Sequence, residues 1–241
     1  AEDVRRYGAW MLSEARSRIG SLYPRVEITK AVVRERPDLE SFAGKKLTVI
    51  AWLWARTVKS PNPAFSSVDV PLASSFLLAN KEGKECFVEP VVTGARYRFT
   101  VVVGVPPPEA RGGTKLARGA NFTCIVSGAA IEPEYIRAEG MAQRMGARLM
   151  AVVAEGVRGR VYLAPTPEME AIADGAEPEW IPDASMPDNP RWFSPPLYGL
   201  TKFRDVFTKR QLVALAAISD LVIEARTKVR RDAEAAGMVE A

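Results

Sequence analysis

The sequence predicts an α+β fold: a mostly antiparallel β-module flanked by helices, with a long C-terminal helix. Three observations carry this prediction. Apolar residues recur at three-to-four spacing near both ends, clean alternation appears in the middle, and Pro- and Gly-rich turns punctuate the β-like runs.

At the N-terminal end, Val4, Tyr7, Met11, Ala15 and Ile19 define an amphipathic helix over residues 3–20. Arg5, Arg6, Arg16 and Arg18 fall mostly on its wet side, and Pro24 follows where a helix would stop. Leu47 to Ala55 is a short, almost unbroken apolar run rich in β-formers, which predicts a strand buried on both faces. A turn is expected at Ser60-Pro-Asn-Pro63. Further strands are expected near 70–79, 86–93 and 96–104; in the last, Tyr97, Phe99, Val101 and Val103 alternate.

Pro106 to Pro108 ends that strand, and 109–120 is expected as a Gly-rich basic loop holding Arg111, Lys115 and Arg118. Phe122 to Val126 predicts another strand, turning at Ser127-Gly128. Pro133 opens a helix to about Met145. Leu149–Ala154 and Arg160–Ala164 form an expected strand pair around the turn Glu155–Gly159, and Thr166 caps a short helix through Ala173. Residues 175–200, rich in Pro and Trp, are expected as an ordered irregular segment. Thr208 then caps the final helix, where Leu212, Leu215, Ile218, Val222, Ala225 and Val229 make one apolar stripe. These elements divide the chain into a helical segment (1–46), a β-rich module (47–131), an α+β segment (132–200) and a C-terminal helix (201–241).

With 241 residues, 47% of them hydrophobic, the chain can bury a substantial core. No apolar run reaches membrane-spanning length, so no membrane partner is expected. The chain opens on Ala-Glu-Asp with neither Met nor a basic-then-apolar leader, which predicts an excised or processed segment and no secretory signal. Cys86 and Cys124 are too few for a disulfide framework and point to a reducing cytoplasm. Histidine is absent, which removes Ser-His-Asp and Cys-His nucleophiles, His-ligated metals and His general bases together. The net charge of +4 suits an anionic partner such as DNA.

Several motifs imitate chemistry. Gly112-Gly-Thr-Lys-Leu-Ala-Arg-Gly119 has a phosphate-cradle composition but lacks the P-loop spacing and its Lys-Ser/Thr ending, so a flexible basic loop is expected. Ser41-Phe-Ala-Gly44 has part of the Phe-x-Gly-x-Gly loop that wraps S-adenosylmethionine, yet Lys46 stands where the second glycine must let the backbone approach. Asn62-Pro-Ala-Phe65 and Ser194-Pro-Pro-Leu197 each miss one residue of the Asp/Asn/Ser-Pro-Pro-aromatic motif that grips an extruded base. The last three segments are read as decoys, so no catalytic or cofactor-binding residue is assigned. The run Arg226–Arg231 is read as a solvated helix end placed favourably on the dipole.

Two long phrases, Ile50–Ala64 and Tyr135–Gly140 followed by Arg144–Met150, join Pro196-Leu-Tyr-Gly199 and the segment from Leu212 onward. Together they resemble the large prokaryotic adenine-specific DNA methylase-like proteins that contain a zinc ribbon. The resemblance spans nearly the whole chain. It implies a parent that uses S-adenosylmethionine to methylate DNA, in restriction or anti-phage defence, with this chain as its non-catalytic central region. The family's ribbon is similar to Cys-x4-Cys plus Cys-x2-Cys, and its positions fall here on Ser60, Phe65, Cys124 and Ser127. One thiol remains of four, so zinc is expected to be lost, with Phe65 and Cys124 filling the centre by apolar packing.

The expected function is therefore DNA positioning or recognition, with phosphate contacts from Arg111, Lys115, Arg118, Arg158 and Arg160. The alternative is an interaction module that docks the methylase core or a defence-system protein. An exposed apolar face along 212–229 would favour docking over DNA contact.

Overall fold

The computed structural model describes residues 2–116, 118–157, 159–189, 191 and 193–238. In chain order, α1 (Glu2–Ile19) leads to β1 (Val26–Glu27), α2 (Lys30–Glu35), β2 (Lys46–Leu47) and the long β3 (Val49–Lys59). Strands β4 (Asp69–Pro71), β5 (Leu77–Ala79), β6 (Cys86–Thr93) and β7 (Arg96–Val103) follow. Next come α3 (Pro108–Gly112), β8 (Phe122–Thr123), β9 (Ala130–Ile131) and α4 (Pro133–Met141). The chain ends through β10 (Gly146–Gly156), β11 (Gly159–Leu163), α5 (Pro167–Asp174) and α6 (Lys209–Ala235). Strand pairing among the described residues is antiparallel throughout, so the α+β class holds.

The chain forms two compact units, one of residues 25–170 and 186–201, the other of residues 1–24, 171–185 and 202–241. In the first, a four-stranded sheet has the order β11-β10-β3-β4, and a three-stranded sheet has the order β5-β6-β7. β10 pairs with β3 from Gly146↔Thr57 to Ala154↔Val49, with two register shifts. The expected division at residue 131 is corrected by this pairing. The apolar run of β3 finds its main neighbour beyond that boundary, so 47–131 does not close as a separate module.

β3 also runs on to Lys59 and is less enclosed than expected. Trp52, Ala55 and Val58 are buried, but Ile50 is 55% exposed. The cause is coverage: β4 pairs only with Thr57, Val58 and Lys59, leaving the first half of β3 at the sheet edge. One core gathers Phe76, Phe87, Val88, Phe99, Val101 and Ala151; a second gathers Val58, Val70, Cys124, Ile131 and Ile136.

Arg36 ties the two sheets together. Its Nη1 donates to the carbonyls of Val101 in β7 (3.2 Å) and Tyr162 in β11 (3.1 Å), while Nε and Nη2 clamp Asp38 at 2.7 and 2.8 Å. The predicted loop 109–120 begins instead as α3. Pro108 supplies its first helical residue, where a missing N–H costs nothing.

α4 meets the turn Pro195–Tyr198 through bare backbone. A Cβ on Gly140 would collide with the carbonyl of Tyr198, and one on Gly199 with that of Gly140. Gln143 Nε2 bridges the same crossing, donating to Gly140 O at 3.3 Å and Gly199 O at 2.9 Å. Gly140→Ala is therefore expected to cost about 1–3 kcal/mol by overpacking, read as a lowered denaturant midpoint. An unchanged midpoint would mean the crossing is loose.

In the second unit, α1 and α6 run antiparallel. Tyr7 donates to Asp232 at 3.0 Å, and Arg18 grips Glu224 with two 2.7 Å bonds. Thr208 caps α6 as expected, in a reciprocal box with Gln211. The predicted stripe, however, splits. Leu212 and Ala225 are buried with Leu221, whereas Leu215, Ile218, Val222 and Val229 are 49, 49, 55 and 42% exposed. α6 thus keeps one half-open apolar face, formed by Leu215, Ile218, Val222 and Val229, beside its covered positions. Among the described residues, no helix is long and apolar enough to cross a membrane.

Candidate functional site

The four positions matched to the family's ribbon converge in space. Ser60 closes β3's far end, where its N–H donates to Val68 O at 3.0 Å, and the turn carrying Phe65 folds back beside it. The β8–β9 hairpin brings Cys124 and Ser127. Cys124 N–H donates to Ala129 O and Gly128 N–H to Cys124 O, both at 2.8 Å. Gly128 takes φ +70°, the left-handed residue this turn requires.

Around Cys124 the polar groups point inward. Burial pushes its thiol up, but hydrogen bonds from the Ser127 and Ser60 hydroxyls and the Ser127 and Val126 amides outweigh burial, and the thiol titrates below its ordinary value. The serine oxygens are held by amides two residues on: Asn62 N–H donates to Ser60 Oγ and Ala129 N–H to Ser127 Oγ, each at 3.3 Å. Phe65 packs against the same buried cluster. One thiol, two hydroxyls and a phenyl ring do not fit zinc, since a serine stays protonated at neutral pH and the ring has no lone pair to offer. No cluster of three or more metal-ligating His, Cys, Asp or Glu occurs among the described residues.

The phrases that carry the resemblance also meet here. Tyr135 OH donates to Lys59 O at 3.1 Å, buried Glu139 holds Arg144 at 2.6 Å, and Gly140 crosses Gly199. The motifs read as decoys have structural roles. Asn62 Oδ1 accepts from Ala64 N–H and caps the short helix Pro63–Phe65, and Ser194 precedes the short helix Pro195–Tyr198. In the glycine-rich loop, Gly113 (φ +58°) lets the backbone press against Ala73, and the Thr114 hydroxyl donates to Pro71 O at 2.6 Å. Gly113 thus serves backbone packing just beyond β4.

The expected phosphate contacts do not form one patch. Arg111, Lys115 and Arg118 are exposed on the segment that Thr114 anchors to β4. Arg160 is exposed on β11, at the opposite edge of the same sheet. Arg158 lies outside the described residues. Arg160 instead borders a cleft with Lys81 and Lys84, two cations the sequence did not single out. Their only sequence signal was the turn Lys81-Glu-Gly-Lys84. The second thiol, Cys86, lies buried beneath that cleft, and burial pushes it up to about 11.

Comparison of the chain with protein-family models, with curated proteins and with solved structures gives no match.

Proposed function

We propose that the chain is a non-catalytic accessory region of a DNA methyltransferase-like protein and helps to position DNA for it. The observation that carries this reading is a contrast in the basic side chains. Many cations are spent within the fold: Arg36 on Asp38, Lys59 on Asp69, Arg144 on Glu139 and Arg148 on Glu170. Arg111, Lys115, Arg118 and Arg160 are exposed and have no ion-pair partner among the described residues. Exposed, unpaired charge is what a phosphate backbone needs, since such contacts require no exact geometry.

Neutralising Arg111, Lys115, Arg118, Arg158 and Arg160 to Gln is expected to weaken duplex DNA binding and flatten its salt dependence. The slope should fall by about 0.9 for each phosphate contact removed. Binding and slope equal to the native chain's would end this reading.

The exposed face of α6 supports a second role for the helix pair: docking the methyltransferase core or a defence-system protein. Leu215, Ile218 and Val222 already face solvent, so changing all three to Ser should leave the thermal midpoint of the isolated chain in place. The same change should abolish co-purification with a methyltransferase core encoded beside it. Undiminished co-purification would remove the docking role.

A further inference from the structure

The cleft beside the β10–β11 hairpin measures about 590 Å³, within the size range of small-ligand sites. Lys81 and Lys84 reach it from the turn between β5 and β6, which Lys84 N–H closes onto Lys81 O at 2.8 Å with Gly83 at φ +71°. Arg160 reaches it from β11. None of the three has an ion-pair partner among the described residues. Glu155 stands across the ladder from Arg160 without pairing to it, and Glu82 and Glu85 share the lysine turn but do not line the cleft. The one lining carboxylate, Asp38, is neutralised by the two-pronged grip of Arg36. The lining therefore carries an excess of positive charge.

Its walls also carry two half-buried rings, Phe42 and Tyr162. Tyr162 follows Arg160 at i+2, so the two side chains leave β11 on the same face. On the other wall, Lys45 Nζ lies 5.8 Å from the Phe42 ring centroid and donates to Ser41 O at 2.9 Å. Rings interleaved with unpaired cations match a planar base joined to a phosphate. A base stacked inside a duplex cannot offer its face to a ring, so the fit favours an unpaired nucleotide.

We propose that this cleft binds a nucleoside phosphate, seated as one unit of a single nucleic-acid strand. Lys81, Lys84 and Arg160 hold the phosphate, and Phe42 and Tyr162 flank the base. The proposal rests on the DNA-accessory reading and adds a strand-selective site to it. Its test changes only Lys81, Lys84 and Tyr162, none of which belongs to the set neutralised in the duplex experiment, so the two can fail separately.

Fluorescence anisotropy of the intact chain with a labelled oligo(dT) strand provides the test, with a hairpin duplex and thymidine monophosphate as competitors. Lys81→Gln with Lys84→Gln should weaken strand binding about tenfold or more and lower its salt slope. Tyr162→Leu should weaken it about tenfold while leaving the slope in place, because stacking releases no counterions. The lysines are exposed, so that variant keeps its fold, which circular dichroism verifies. Competition by the monophosphate at strand-like concentrations would support the cleft as a site for free nucleotides; its failure to compete would support the strand. Absence of binding by both, or strand binding unchanged in both variants, would overturn the proposal.

Discussion

A chain carrying Ser60→Cys, Phe65→Cys and Ser127→Cys together is expected to bind one zinc ion and to unfold at a higher temperature than the native chain. The backbone around Cys124 is already arranged for this. Amides two residues beyond Ser60 and Ser127 point at the side-chain oxygens, and those of Val126 and Ser127 point at the Cys124 sulfur. Thiolates need such donors, and four of them at this cluster meet the tetrahedral requirement of a structural zinc site. Structural zinc contributes an apparent 10–16 kcal/mol in small modules, so even a strained site should raise the midpoint visibly. Elemental analysis and thermal unfolding with and without chelator read the result. Ser60→Cys alone leaves two ligands short and should bind no stoichiometric zinc. A triple variant without zinc would show that the two turns do not have knuckle geometry.

Arg36→Met is expected to be the most damaging single substitution at the junction of the two sheets. The guanidinium satisfies carbonyls on β7 and β11 simultaneously and is only 15% exposed as a side chain. Methionine fills most of the volume but leaves both carbonyls without a donor. At about 1–3 kcal/mol for each unsatisfied buried group, the loss is about 2–6 kcal/mol. Arg36→Lys keeps the charge but not the fork, so it should recover only part of this. Asp38→Asn should cost less, because its side chain is 40% exposed and the carbonyl bonds survive. Urea denaturation of the three variants gives the ranking, and equal stability of Arg36→Met and native chain would refute the bridging role.

Local pattern made many elements legible. The periodicity of Val4 to Ile19 gives α1, Thr208 with Gln211 gives the start of α6, and the alternation from Tyr97 to Val103 gives β7. What pattern did not reveal depends on partners distant in sequence. The positions 212–229 of α6 read as one stripe at three-to-four spacing, and nothing local shows which of them will be covered. Arg36 reads as an ordinary surface arginine before Pro37, since nothing local shows that Val101 and Tyr162 will arrive beside it. The convergence of Ser60 and Cys124 was legible only through the spacing of a resemblance. The cleft was not legible at all, because its cations and rings come from three segments far apart in sequence: the turn at Lys81 and Lys84, the short helix ending at Phe42, and β11. Arg160 was singled out for its charge, but nothing local tied it to the turn that carries Lys81 and Lys84.

The pairing of β3 with β10 sets the order in which this chain can fold. Trp52 sits opposite Val152, so the central ladder joins residues a hundred positions apart. Long-range closure of this kind is slow, because chain entropy is lost before the contacts that repay it exist. During synthesis the apolar run of β3 emerges early and must wait until Gly156 has left the ribosome before its principal partner strand is complete. Through that interval Trp52 and Trp54 have no ladder to enter, which makes the nascent segment a natural target for chaperones. Fragments ending near residue 131 should consequently aggregate, whereas a fragment spanning residues 25–201 keeps both halves of the ladder.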